Sequence, residues 1–119
     1  MAQIKLLIAD DHAAFRESLR DMFRWEEDIE VVSEVADGQE VLKEAGETQP
    51  DIILMDVAMP RMGGIEATVA LKARWPAIRV VLITGIEVLS QVPRAVQAGA
   101  DGYLPKTAPP SLLLAALRA

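Results

Sequence analysis

The run Ile4 to Ala9, IKLLIA, is apolar throughout except for Lys5. A strand of that kind fits only where both of its faces are covered. Strand-like runs recur at Glu30 to Val35, Asp51 to Met55 (DIILM), Arg79 to Ile83 (RVVLI) and Asp101 to Leu104. Longer stretches of helical spacing lie between them. Phe15, Leu19, Met22 and Phe23 recur at i, i+4, i+7 and i+8, one stripe of an amphipathic helix. Past the Asp37-Gly38 turn, Val41, Leu42 and Ala45 give the second helix its stripe, and Pro50 ends that connection. Gly63 and Gly64 open a third helix that runs to about Arg74 and is closed by Pro76. Val92, Ala95 and Val96 mark a short fourth that stops at Gly99, and Ser111 onward reads as a fifth. Strand and helix thus alternate five times. Such alternation implies a parallel sheet with helices on both faces. A (βα)₈ barrel needs about 250 residues, and the chain has 119. An open, doubly wound α/β domain remains, with the more alternating second strand at its edge.

A single domain of this length buries roughly two-thirds of the chain's surface without staples. It has no cysteine, which excludes disulfides, thiolate metal sites and cysteine nucleophiles. Twelve Lys and Arg against eighteen Asp and Glu leave a net charge of −6. With a pI near 4.7, direct nucleic acid binding is not expected. No apolar run approaches the ~20 residues of a membrane span. The first residues reach Asp10 and Asp11 too soon for a signal-peptide core. A soluble, cytoplasmic domain is the expectation.

In a parallel sheet the C-terminal ends of all strands share one edge, where ligands bind. Asp10 and Asp11 follow the first strand, Asp56 the third, Thr84 the fourth, and Lys106 lies just past the fifth. Three converging carboxylates repel one another unless a cation neutralises them. Mg²⁺, a hard ion bound through one or two carboxylates and a phosphate, suits them. Asp56 ends a central strand and is the candidate nucleophile for phosphoryl transfer, a reaction that needs mainly positioning and charge stabilisation. Lys106 would then neutralise the phosphoryl oxygens and Thr84 would hydrogen-bond one of them. The plainer reading is that each aspartate merely caps the next helix. His12 is the only histidine, so neither a histidine metal site nor a Ser-His-Asp triad is expected, and it reads as a loop residue near the site. Trp25 and Trp75 read as packing anchors, and Met55, Met59 and Met62 as core filler. Neither a GxGxxG nor a GKS/T loop occurs.

Taken together, IADDH, ILMDVAMPRMGGIEA, VVLITG and AGADGYLPK resemble the receiver domain of bacterial two-component response regulators, most of all the NarL/LuxR type. The resemblance covers nearly the whole chain. It implies a flavodoxin-like (βα)₅ fold with strand order 2-1-3-4-5, acting as a phosphorylation switch. It implies Asp56 as the residue phosphorylated by a sensor histidine kinase, with Mg²⁺ held by Asp10, Asp11, Asp56 and the backbone carbonyl of Ala58. Thr84 would move toward the phosphoryl group, Lys106 would pair with it, and Tyr103 would be the aromatic switch. A homodimer on phosphorylation and a helix-turn-helix output domain are the further partners implied. Catalysis would extend only to the domain's own phosphotransfer and dephosphorylation.

Several positions depart from the family pattern. Gly63 replaces the usual acidic residue or Asn, and Gly85 leaves the phosphoryl site open to solvent. Lys106 is followed by Thr107 rather than Pro, and a cis peptide there would cost ~3–4 kcal/mol. Pro93 falls where the fourth helix should be under way, which implies a short or late helix capped by Ser90.

The rival readings are a Mg²⁺-dependent phosphatase-like hydrolase, a pseudo-receiver interaction module and a flavin protein. The first lacks a second carboxylate at Val57 or Ala58, and the second sits badly with five retained pocket residues. The third lacks a Ser/Thr-rich loop after the first strand. In SLLLAALRA, Leu112, Leu113 and Leu114 cannot all face one core, so some apolar surface should be exposed for a partner. The last helix would close at Ala119, and the expectation is an excised receiver whose DNA-binding part follows.

Overall fold

A computed structural model describes residues 3–85 and 89–119. Strands β1 (Ile4–Ala9), β2 (Ile29–Val35), β3 (Ile52–Asp56), β4 (Arg79–Thr84) and β5 (Gly102–Pro105) alternate with helices α1 (Ala13–Phe23), α2 (Gly38–Thr48), α3 (Gly64–Arg74), α4 (Val92–Ala98) and α5 (Pro110–Arg118). All strand pairings are parallel, in the order β2-β1-β3-β4-β5. This is the flavodoxin-like arrangement expected, with β2 on the edge.

Strand periodicity sorts the core into two layers. Leu7, Ala9, Ile53, Met55, Val80 and Leu82 pack under α2, α3 and α4, where they meet Val41, Ala45, Ile65, Ala67, Leu71 and Ala95. Their neighbours Leu6, Ile8, Ile52, Leu54, Val81 and Ile83 face α1 and α5, meeting Leu19, Phe23, Leu113 and Leu117. The near-continuous apolar character of β1, β3 and β4 follows directly, since both faces are covered.

Local chemistry sets the helix ends. Asp37 caps α2 by accepting a hydrogen bond from the Glu40 N–H at 2.9 Å. Gly99, at φ 97°, closes α4 in the left-handed region. Ser90 does not cap α4. A 3₁₀ turn at Leu89–Gln91 runs straight into it and Gln91 is the boundary residue, without a side-chain cap. Pro93, in the first turn, has no N–H to satisfy, so a cap is needed less. The expectation of a short, late helix holds. The α5 end is fastened twice: Arg79 donates to the Ala116 and Leu117 carbonyls, and Arg118 pairs with Asp28 at 2.7 Å and Glu26 at 2.6 Å.

Three sequence expectations meet the structure here. Trp75 is half-buried beneath the Arg74 guanidinium, which lies 4.4 Å from its ring. Trp25, in contrast, is 81% exposed and anchors nothing in the core; Phe23, two residues earlier, takes the inward position at the end of α1. Of the three leucines, Leu113 is buried, Leu114 half-buried and Leu112 exposed. The Lys106–Thr107 peptide is trans, as are the others among the described residues. No helix among them is long and apolar enough to cross a membrane.

Candidate functional site

The pairing register assembles the acidic pocket. Ala9 lies opposite Met55 across β1 and β3, so Asp10 emerges beside Asp56. Thr84 lies opposite Pro105 across β4 and β5, and the Lys106 N–H donates to the Thr84 carbonyl at 2.7 Å. That bond sets the lysine at the mouth of the sheet. Neither aspartate caps a helix: α1 begins after His12 and α3 after Gly63. Asp10 Oδ1 instead accepts the His12 N–H at 2.8 Å, and Asp56 Oδ1 accepts the Ala58 N–H at 3.1 Å. Gly64 is required just below. A Cβ there would fall 2.2 Å from the Asp56 carbonyl oxygen.

Asp10 is fully buried and Asp56 is 2% exposed. The Lys106 ammonium lies 2.7 Å from Asp10 Oδ2 and 2.9 Å from Asp56 Oδ2, and 4.7 Å from the Phe15 ring centre. The Asp56 contact is an aligned hydrogen bond and the Asp10 contact a close ion pair. Burial pushes the Asp56 carboxyl above the usual carboxylate range; the Lys106 and Ala58 hydrogen bonds oppose this and Asp10's charge adds to it. For Lys106 burial works the other way, and its contacts with Asp10 and Asp56 prevail, so its pKa lies above the ordinary lysine value.

Carboxylate oxygens of Asp10, Asp11 and Asp56 and a ring nitrogen of His12 lie within 4.8 Å of one another. Three carboxylates against one ammonium leave two negative charges unmatched, with His12 counted neutral. The unmatched charge, the burial of Asp10 and the oxygen-rich donor set all fit a divalent cation such as Mg²⁺. His12 belongs to this cluster although the sequence reading left it at the margin. The signal was its place directly after the aspartate pair, where the turn from β1 into α1 folds it back.

Thr84 is buried at the end of β4 and lines a cavity of about 290 Å³ with Val57, Ala58, Gly63, Glu66 and Arg94. Gly85 opens beside it, with no described atom within 4 Å of where a Cβ would lie. Tyr103 stands apart from the acidic cluster. It pairs with Leu82 across β4 and β5 and packs half-buried on the α4 side of the core.

The comparison with known proteins is decisive at this point: the family model "Response regulator receiver domain" matches residues 6–118. The chain is a response regulator receiver domain. It is 41% identical over 115 residues to the response regulator protein VraR of Staphylococcus epidermidis, covering 97% of this receiver and 55% of VraR. The receiver therefore spans about half the length of the curated relatives it matches. Among solved structures it resembles a LuxR-family two-component response regulator from Aurantimonas, with TM-score 0.92, 33% identity and coverage of 98% of this chain and 84% of that one. The receiver domain of the putative NarL of Mycobacterium tuberculosis gives TM-score 0.90 and 27% identity, over 100% and 99% of the two chains.

Proposed function

We propose that this receiver accepts a phosphoryl group on Asp56 from a partner sensor histidine kinase. The resulting charge change drives a cytoplasmic switch read by a helix-turn-helix output domain elsewhere in the full-length protein. The observation that carries this reading is the charge of the pocket. Two buried carboxylates from different strands share a single ammonium, with a third carboxylate alongside.

In the step proposed, an Asp56 carboxylate oxygen attacks phosphorus, the P–N bond to the kinase's imidazole breaks, and its electron pair leaves with the ring. Asp10, Asp11, Asp56 and the Ala58 carbonyl are the residues that would hold Mg²⁺. When bound, that ion neutralises the carboxylates and the equatorial phosphoryl oxygens. Lys106 follows the transferred group, exchanging an Asp56 oxygen for a phosphoryl oxygen as its partner. Thr84, the residue after the Ile83 that pairs with Asp56, donates its hydroxyl to another. Movement of Thr84 toward the site leaves room for Tyr103 to turn inward. The two positions thus bias one two-state element, which needs only a few kcal/mol of differential interaction. A homodimer formed on phosphorylation is the proposed output geometry, and the domain turns over no substrate beyond its own phosphoryl group.

The test is intact-mass measurement after exposure to a small acyl phosphate, with and without Mg²⁺. One added phosphoryl group is expected, only with Mg²⁺, and none in Asp56→Asn. Uptake by Asp56→Asn at the wild-type rate overturns the assignment.

A further inference from the structure

The reading above leaves His12 without work. Its Nδ1 lies 3.0 Å from Asp10 Oδ1, 3.3 Å from Asp11 Oδ1 and 3.8 Å from Asp56 Oδ2, so one ring nitrogen neighbours all three carboxylates. A hydrogen bond from Nδ1–H to Asp10 Oδ1 accounts for one of those three neighbours, and helix capping and core packing account for none. His12 is the N-cap residue of α1, but its side chain bonds no helix N–H, and at 66% exposure the ring is not held by core packing.

Lys106 already shows how this donor set holds positive charge. Its ammonium lies against Asp10 and Asp56 and 3.2 Å from His12 Nδ1. An ammonium has donors and no lone pair. With its proton on Nδ1 the ring donates to Asp10 Oδ1 at 3.0 Å; with its proton on Nε2 the Nδ1 lone pair faces the ammonium, the same lone pair a metal would take. A second observation concerns burial: Asp10 Oδ2 is fully buried, and its cationic neighbour among the described residues is the Lys106 ammonium at 2.7 Å. A buried carboxylate is costly without a cation beside it, and a metal ion would meet that charge as the ammonium does.

We infer that His12 is a fourth metal ligand, giving the pocket one imidazole nitrogen beside its carboxylate oxygens and fitting it to borderline transition dications such as Ni²⁺, Co²⁺ or Zn²⁺ as well as to Mg²⁺. Mg²⁺ binds oxygen and gains little from an imidazole. Ni²⁺, Co²⁺ and Zn²⁺ bind imidazole well, in an order that rises toward copper. The carboxylates supply charge to every dication, and His12 supplies a bond that only the second class uses. This rests on the reading of the pocket as a metal site.

Calorimetric titration of wild type, His12→Ala and His12→Asn with Mg²⁺ and with Ni²⁺ tests it. The preference for Ni²⁺ over Mg²⁺ should fall by about tenfold or more in both variants, since even removing a ligand's outer partner costs about 10–100-fold. His12 is the only histidine, so its ring ¹⁵N signals need no assignment. The Nδ1 signal should shift on saturation with Zn²⁺ and stay in place with Mg²⁺. An unchanged Ni²⁺-to-Mg²⁺ preference in the variants, or an Nδ1 signal that ignores Zn²⁺, overturns the role of His12 and leaves the Mg²⁺ reading standing. A wild-type chain that binds neither Mg²⁺ nor Ni²⁺ overturns both.

Discussion

Asp101 and Asp10 show how differently two aspartates beside strands can be used. Asp101 accepts hydrogen bonds from the Lys72 ammonium and the Val80 N–H, both at 2.8 Å, and fastens the start of β5 to α3 and β4. Partial burial opposes its ionisation, but Lys72 and Val80 prevail and lower its pKa below the ordinary 3.8. The unfolded chain then binds more protons between the two values. The stability this gives is full above about 3.8 and is lost as pH falls through the folded value. Asp101→Ala should therefore unfold at lower urea at pH 7, by about 1–2 kcal/mol after allowance for solvent screening, and the gap should close below pH 3.8. A gap that persists at pH 2 would assign the loss to packing. Asp10 has a backbone N–H and an ammonium too, but it shares that ammonium with Asp56 and stands in the pocket. The positions of Asp10, Asp56 and Lys106 were legible in sequence because strand ends in a parallel sheet must share an edge. The orientation of the His12 ring was not, because loop geometry, and no periodicity, sets it. Trp25 was misread for a related reason: an aromatic at a helix end looks the same in sequence whether it turns in or out.

Among the elements, the entry to α3 bears most closely on the site. Gly64 packs its bare backbone on the last peptide of β3, with its N–H donating to the Val57 carbonyl at 2.8 Å. Gly64→Ala must move either α3 or Asp56 itself. The expected result is a loss of about 1–3 kcal/mol in urea denaturation, together with slower phosphoryl uptake from an acyl phosphate. Normal stability and uptake would mean that the loop yields freely. The Gly63-Gly64 pair was legible as a helix start, but the close approach that demands glycine was not, since it involves a strand read separately. In α4 the reverse held. Pro93 announced a short, late helix, whereas the expected Ser90 cap gave way to a 3₁₀ turn that competes for the same residues. β1 kept its expected bounds and the other strands moved by one residue, most usefully β3, which continues through Asp56 because its ladder with β4 continues to Ile83.

At the scale of the molecule, two of the six net negative charges fall where they do most harm, in one largely buried pocket. A dication bound only by the folded chain should raise its stability. Mg²⁺ at ten times its dissociation constant is worth about 1.4 kcal/mol, or a rise of a few degrees, roughly 3–6 °C, in the melting midpoint. The rise should disappear in Asp11→Ala, the pocket's most exposed carboxylate. An equal rise in that variant would mean that Mg²⁺ acts on the surface at large. The five-unit alternation made the architecture legible as a whole, because each covered strand leaves its mark in the sequence. It left unsaid how far Lys106 reaches. β1 and β5 are not neighbours; β3 and β4 lie between them, which puts them about 14 Å apart at the usual strand spacing. A single ammonium just past β5 nevertheless reaches the carboxylate just past β1. It works as a drawstring across the open mouth of the sheet, gathering the fan of strands. Whatever draws that ammonium aside slackens the string, and the segments past β1, β3 and β5 lose a shared tie in one event.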